Sequence, residues 1–459
     1  MRHRARVGLV GALACALACA LAVAPGAWWG AAPAAEGAHE TLRVSTDGGR
    51  GEPNNGSFTP SVSRNGRYVA FASEASNLVP GDTNHRRDIF VRDVAKGTTT
   101  RVSVSSRGRQ GNLDSYNPSI SDDGRFVVFD SFATNLVPDD LNREGDVFVH
   151  DLVEHTTTRV SRGIDGKETD ASSGFATISG DGNVIAFESS ATNLRAGRPG
   201  KVTDIYLVDR AGNVLDWVTR SPANGEPNGG SGDIALSRDG QVVAFASAAT
   251  NLVPGDTNLA DDVFVRDRRV GWTQRVSVNS LGGETNDNSG APSISDDGRI
   301  VVFSSNASSL VSLVPGTQSL PAFVFHRFHT GDDNFVPDVF VHDRVTRRTE
   351  IVSVSTEGAQ GIAESYEASV SGDGTKVAFA SYASDLVPGD GRPGSEIFLR
   401  DLTNRRTTRL SVDGSDHQGN GTSVQPAISG DGNWVAFTSD ASNLVRGDRN
   451  RSGDVFLRH

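Results

Sequence analysis

One short pattern returns along almost the whole chain at a fixed interval, and it limits the possible folds more than any other feature. The segment Ser61-Val62-Ser63-Arg64-Asn65-Gly66-Arg67-Tyr68-Val69-Ala70-Phe71 opens the series, and its glycine recurs at Gly124, Gly182, Gly240, Gly298, Gly374 and Gly432. The interval is 58 residues five times and 76 once, so an insertion of 18 residues (76 less 58) falls in the fifth unit, about residues 311–335. Units that recur this strictly bury their apolar faces against one another, because no single unit is large enough to do so alone.

Within a unit, runs of four to six residues rich in Val, Ile, Phe and Thr alternate with Gly, Asp and Asn clusters, the pattern of short strands and turns. In the first unit the strands are expected at about Pro60 to Ser63, Tyr68 to Ser73, Asp88 to Arg92 and Thr98 to Ser103. The first hairpin turns on Asn65-Gly66, and on Asp-Gly in the other six units, a pair that tolerates the positive φ of a tight turn. Beyond the first 34 residues, no stretch of twelve keeps a helical apolar period. Four strands in a unit of this length predict an all-β protein, a seven-bladed β-propeller with four antiparallel strands per blade. Phenylalanines recur in the second strand from Phe71 to Phe437, and aromatic residues in the third from Phe90 to Phe456. They are expected to fill the layers between blades.

The seventh unit stops after its third strand, at Asp454-Val455-Phe456-Leu457-Arg458-His459, and Thr41-Leu42-Arg43-Val44-Ser45 lies 58 residues before the fourth strand of the first unit. The N-terminal strand is therefore expected to complete the last blade and remove an open sheet edge.

The first residues read as a secretory leader: Arg2, Arg4 and Arg6, an apolar stretch from Val7 to Ala24, and Ala32-Pro33-Ala34 as cleavage site. The expectation is a signal peptide over 1–34 and one secreted or envelope-associated propeller domain over 35–459, with no membrane span after cleavage. An uncleaved anchor is the alternative, since about eighteen apolar residues can cross a bilayer. Both cysteines, Cys15 and Cys19, lie in the leader, which leaves the mature part without disulfide or thiolate chemistry. Loss of the three arginines takes the net charge from −12 to −15. Nucleic acid is excluded as a partner, because phosphate binding needs a concentrated cationic face.

Asp123-Gly124-Arg125-Phe126-Val127-Val128-Phe129 in a second strand and Asp262-Val263-Phe264-Val265-Arg266-Asp267 in a third resemble the TolB-like, WD-type propeller repeats of bacterial secreted proteins. The resemblance covers the mature chain and implies the propeller fold. It implies less about function, since such repeats occur in binding modules, assembly factors and a few enzymes. The chain departs from the family's namesake, which places an α/β domain before six blades.

Asp-x-Asn-x-x-x-Asp recurs between second and third strands, as Asp82, Asn84, Asp88; Asp140, Asn142, Asp146; Asp256, Asn258, Asp262; Asp332, Asn334, Asp338; and Asp448, Asn450, Asp454. Alternating oxygen donors suit structural Ca²⁺, which takes six to eight of them. The competing reading is Asx turns and a cap on the hairpin, with no metal. The third unit lacks the motif and the sixth replaces it with Asp390 through Glu396. Arg43, Arg101, Arg159, Arg275 and Arg409 share a fourth-strand register, and are expected to pair across the hairpin with the acids that end the third strands, Asp93, Asp151, Asp209, Asp267, Asp343 and Asp401.

The insertion concentrates Phe323, Phe325, His326, Phe328 and His329, an aromatic loop that either anchors a partner or folds over the blade edge. There is no Gly-x-Ser-x-Gly nucleophile elbow. The reading is a monomeric, non-enzymatic module that binds a protein or glycan through the face where the second-to-third and inter-blade loops emerge. The alternative is a polysaccharide lyase or glycosidase with its site in the central channel. Clustered acids on the inner strands favour the enzyme, and serine-rich inner strands such as Ser119-Ile120-Ser121 an inert channel.

Overall fold

The computed structural model describes residues 40–48, 51–197, 202–311, 332–389 and 391–459. Among them, twenty-eight strands form seven four-stranded antiparallel sheets, with one short 3-10 turn at Pro222–Asn224. Blade 1 comprises Ser57–Val62, Tyr68–Ser73, Asp88–Asp93 and Thr98–Arg101, ordered from the innermost strand outward. Each inner strand packs against the inner strand of the next blade, and that of the seventh, Ser423–Ile428, against that of the first. The fold is the seven-bladed propeller that the period predicts.

The inner strand begins at Ser57, three residues before the expected start, because it contains a bulge. Pairing with the second strand shifts between Phe58 and Ser61, and Thr59 between them has φ 48°. The same irregularity recurs at Asn117, Phe175, Asp233, Ala291, Glu367 and Gln425, all with φ between 48° and 57°. An L-residue with a side chain pays for this conformation with roughly 1–2 kcal/mol, so the surrounding structure must hold it.

The core lies in the layers between sheets. Phe71 and Phe90 stack at 5.9 Å, and the equivalent pair in every blade lies between 5.8 and 6.3 Å apart, all fully buried. One layer shows the rule: Phe129 and Phe148 of blade 2 pack on Ala70, Ala72, Ile89 and Val91 of blade 1. Alanine on one face leaves room for the ring arriving from the neighbour. The turn glycine obeys a second constraint of this kind. Gly124 has φ 75°, and a Cβ there would also overlap the Tyr68 ring of blade 1.

Closure follows the expected register. Thr41–Arg43 pairs antiparallel with Asp454–Arg458, placing Thr41 opposite Arg458, Leu42 opposite Leu457 and Arg43 opposite Phe456. Val44 continues the pairing through its N–H to Val455 O at 2.8 Å, and the Ser45 hydroxyl donates to Asp454 Oδ1 at 2.8 Å.

Deleting residues 40–46 removes these bonds and buried Val44 together and exposes the edge of the last blade. The expected loss is several kcal/mol in denaturant unfolding, with higher oligomers appearing in size-exclusion chromatography. An unchanged midpoint with a monomeric profile would show that the closing strand is dispensable.

Candidate functional site

The Asp-x-Asn loops and the fourth-strand arginines, read as separate features in the sequence, form one network. In blade 1, Arg101 Nη1 lies 3.1 Å from Asp82 and 3.4 Å from Asp88. Arg275 Nη1 lies 3.1, 3.0 and 2.9 Å from Asp256, Asp262 and Glu284. Arg159 joins Asp140, Asp146 and Glu168 at 3.3–3.6 Å, and Arg43 joins Asp448, Asp454 and Glu52 at 3.6–3.7 Å. This corrects the expected pairing. Arg101 sits opposite Phe90, too far up the hairpin to meet Asp93, and Asp93 is taken by Arg67 at 3.0 Å. Asp151 and Asp343 are likewise taken by Arg125 and Arg299.

Asparagine turns its amide nitrogen, not its oxygen, toward the carboxylate. Asn84 Nδ2 donates to Asp88 at 2.8 Å and to Gly111 O at 2.9 Å, while its Oδ1 accepts the Arg86 N–H two residues on, an Asx turn. Asn142, Asn258, Asn334 and Asn450 do the same toward Asp146, Asp262, Asp338 and Asp454. The other oxygen of each last aspartate is held by a serine two residues past the fourth strand, as by Ser103 on Asp88 at 2.5 Å. Among the described residues, the three carboxylates close enough to share a cation are Asp256, Asp262 and Glu284, and Arg275 lies against all three. A metal at this place would have to displace a guanidinium.

Blade 5 departs from the rule. Ile351 replaces the arginine, and Gln360 Nε2 instead donates to Asp332 at 2.8 Å and Asp338 at 2.6 Å. With an amide in place of a cation, burial pushes Asp338 up to about 7. Burial also pushes Asp140, Asp256 and Asp454 up to about 6, against the pull of their arginines. In blade 3 the cation comes from a different place: Arg195 stacks on the Trp217 ring at 3.8 Å and pairs with Glu226. Glu52, Gln110, Glu168, Glu226, Glu284 and Gln360 occupy one inter-blade register. The period alone marks that register, and the sequence reading passed over it.

The channel is closed at the end bearing the Asp-Gly turns. Arg64, Asp122, Gly180, Arg238, Asp296, Gly372 and Gly430 share a register there. Arg64 N–H donates to Asp122 O, Asp122 to Gly180, Gly180 to Arg238, Arg238 to Asp296, Asp296 to Gly372 and Gly372 to Gly430. Asp431 returns to Arg64, so seven bonds of 2.8–3.3 Å form a closed circle. Arg64 of blade 1 also reaches Asp296 of blade 5, and Arg238 of blade 4 reaches Asp122 of blade 2, each at 2.5 Å. Those partners belong to blades that are not neighbours, so the ion pairs span the channel. The glycines make room for them. A Cβ on Gly180 would lie 2.6 Å from Arg238 Cγ, and one on Gly372 2.6 Å from the Asp296 carboxylate.

Along the channel the inner strands and the second strands beside them carry both signatures that the sequence set against each other. Their serines tie neighbouring inner strands together: Ser61, Ser119, Ser293 and Ser369 accept the N–H of Ile120, Ile178, Val370 and Ile428. Acids cluster nearer the mouth and cap the bulges. Asp130 accepts the Phe175 N–H at 3.3 Å, Glu188 that of Asp233 at 2.9 Å, Asp233 that of Ala291 at 3.1 Å and Glu367 that of Gln425 at 2.7 Å. Burial raises Asp130 to about 6, and burial with the nearby Asp233 and Asp130 charges raises Glu188 to about 7.

Here the blades differ from one another. At the register after the first residue of the inner strand stand Phe58, Tyr116, Gly174, Gly232, Gly290, Tyr366 and Val424. A Cβ on Gly232 would lie 2.9 Å from Glu188 and one on Gly290 3.3 Å from Asp233, so small residues admit the acids on one side. Rings gather on the other. Phe132, 44% exposed, meets Tyr116 edge-on, Tyr382, 46% exposed, lies on Tyr366, and Arg87 is held between Phe58 and Tyr116. A polar cavity of about 420 Å³ opens between blades 1 and 2, lined by Asn54, Glu74, His85, Arg86, Asp114 and Tyr116. Phe323, Phe325, His326, Phe328 and His329 lie outside the described residues.

Arg275→Ala leaves Asp256 and Asp262 buried without their cation. It should cost about 3 kcal/mol or more at neutral pH. The loss should shrink as pH falls toward about 6, because Asp256, raised by burial to about 6 even with Arg275 beside it, takes up its proton more readily once that cation is gone. A loss under about 0.5 kcal/mol would mark the network as incidental.

Sequence comparison finds no matching family model and no matching curated protein. Structural comparison finds propellers. The β-propeller domain of the trilobed protease from Pyrococcus furiosus aligns over 89% of this chain and 94% of that one, with TM-score 0.51 and 11% identity. A protein assigned as TolB from Agrobacterium tumefaciens aligns over 79% and 93%, with TM-score 0.40 and 15% identity. Oligogalacturonate lyase from Vibrio parahaemolyticus aligns over 91% and 93%, with TM-score 0.49 and 11% identity.

Proposed function

We propose that the protein is a secreted, non-enzymatic binding module that receives a protein segment or a glycan at the mouth of its channel. The supporting observation is where the repeat breaks. Fold-determining registers stay nearly constant from blade to blade, whereas the mouth carries Phe, Tyr, Gly and Val in one register and Thr, Asn, Phe, Asp, Ala, Glu and Gln in the next. A ring that needed only to close has no reason to vary there. Exposed aromatic faces beside hydrogen-bonding carboxylates suit sugar rings and peptide side chains alike. The floor ion pairs make this end the way in.

A polysaccharide-acting enzyme is the second reading, favoured by the acids at Asp130, Glu188 and Asp233 and by the raised Glu188. Against it, each of these acids is committed to a backbone N–H of the adjoining blade.

For the Asp-x-Asn loops we propose that arginine, and in blade 5 Gln360, fills the place in which the sequence pattern suggests calcium. Melting temperature should then stay flat as calcium rises to about 10 mM, well above the range of extracellular calcium modules. A rise in the parent that is lost in Asp82→Ala, Asp140→Ala and Asp256→Ala combined would restore the metal.

A glycan array and a pull-down on the mature protein, beside Tyr366→Ala with Phe132→Ala and beside the floor variant Arg64→Ala, test the binding site. Binding should fall at least tenfold in the mouth variant, about 1.4 kcal/mol, and persist in the floor variant. Equal binding by both would move the site elsewhere, and release of shortened oligosaccharide that stops in Glu188→Gln would establish the enzyme.

A further inference from the structure

One register of the third strands carries Arg92, His150, Val208, Arg266, His342, Arg400 and Arg458. In six blades this side chain bonds a threonine hydroxyl of the fourth strand: Arg92 to Thr99 at 3.2 Å, Arg266 to Thr273 at 3.2 Å, Arg400 to Thr407 at 3.0 Å and Arg458 to Thr41 at 2.9 Å. His150 and His342 meet Thr157 and Thr349 through Nδ1, both at 2.9 Å. The threonine hydroxyls in turn donate to a carbonyl of the preceding blade. Thr157 bonds Val104, Thr349 bonds Val278 at 2.5 Å, Thr407 bonds Val354 at 2.5 Å and Thr41 bonds Val412 at 2.7 Å. Each such relay staples one blade to the last.

A hydroxyl has one proton. Since Thr157 and Thr349 give theirs to a carbonyl, they accept from the imidazole, which fixes the proton on Nδ1 and leaves Nε2 bare. His342 Nε2 is buried without a hydrogen-bond partner. In the last two blades, arginine at the same register reaches further and finds a second acceptor for its charge. Arg400 also bonds Ser355 O at 3.0 Å, and Arg458 bonds Asp413 O at 3.1 Å and Asp416 at 2.7 Å. Imidazole is too short for that second contact.

We propose that His150 and His342 make the seams between blades 1 and 2 and between blades 4 and 5 acid-labile, protonation at Nε2 loosening those two staples while the arginine staples hold. Burial, the largest influence, lowers both histidines to about 4. The charged groups acting on His150 are His155, which disfavours its protonation, and Asp151, which favours it; on His342 they are Asp343, which favours it, and Arg344, which opposes it. Cross-strand Val127 and Val301 carry no charge, nor do Ser106 and Ser280, which bond Thr157 and Thr349 from the preceding blades. Arg107 and Arg109 on the first of those hairpins are exposed. A histidine lowered in the folded state contributes its full stability above the ordinary imidazole range, and loses it as pH falls from about 6.5 toward about 4.

The test is hydrogen exchange on the unmodified mature protein between pH 7.5 and 4.5, read as protection factors at each seam. Thermal melts of His150→Gln with His342→Gln accompany it, glutamine keeping a donor that cannot be protonated. Protection around Val104, Thr157, Val278 and Thr349 should fall up to roughly tenfold per pH unit below about 6.5, while that around Val354 and Thr407 stays level. The glutamine variant should melt with a shallower dependence on pH than the parent. Parallel loss at every seam, or identical pH dependence of parent and variant, would overturn the proposal. Where the variant is too unstable to compare, the seam-by-seam exchange of the parent decides.

Discussion

Pairing of Thr41–Arg43 with Asp454–Arg458 turns a row of similar units into a ring, and the rest of the molecule depends on it. A blade has two large faces, and only a closed circle gives every face a neighbour. Closure also completes the polar networks. Arg43 and Ser45, from one end of the chain, supply the cation and hydroxyl for Asp448 and Asp454 at the other. The circle of hydrogen bonds at the floor returns from Asp431 to Arg64, across the same junction. Opening the ring would leave buried carboxylates and backbone groups unpaired at once, which is why one short strand carries so much.

Within the ring, charge is placed where water cannot stabilise it and each charge is answered locally. Arg101, Arg159 and Arg275 sit among two or three carboxylates apiece, in a chain whose acids outnumber its bases 56 to 44. Two blades reach the same balance by other means, Gln360 serving both carboxylates of blade 5 and Arg195 entering blade 3 from the loop between its second and third strands. The outer staples show similar latitude, with arginine and histidine exchanged at one position. Such substitutions preserve the hydrogen bond while altering its response to pH. The central channel follows the same logic in space: opposed charges from non-adjacent blades block one end, and the variable residues collect at the other.

The period of 58 residues, the aromatic registers and the offset of the N-terminal segment determined the fold class, the blade count and the closing strand. These are legible because they are local and repeated: a strand is announced by alternation, a turn by Asp-Gly, a missing strand by its absence from one unit and presence elsewhere. The second strand of blade 1 falls where its residues place it, at Tyr68–Ser73. The inner strand does not, because the left-handed bulge at Thr59 leaves no mark in residue type.

Tertiary structure alone decided which charges meet. Asp93 looked like the partner of Arg101 from sequence distance, but in an antiparallel pair the register sets the height of each side chain, and Arg101 rises to Asp82 and Asp88. Asn84 offered an oxygen or a nitrogen equally well on paper, and the buried Asp88 selected the nitrogen. Arg64 and Asp296 stand 232 residues apart and meet only because seven equal rotations bring the first and fifth blades across one channel. Sequence carries period and polarity along the chain. Distance across the ring is a property of the closed circle, and it exists only once the last strand is in place.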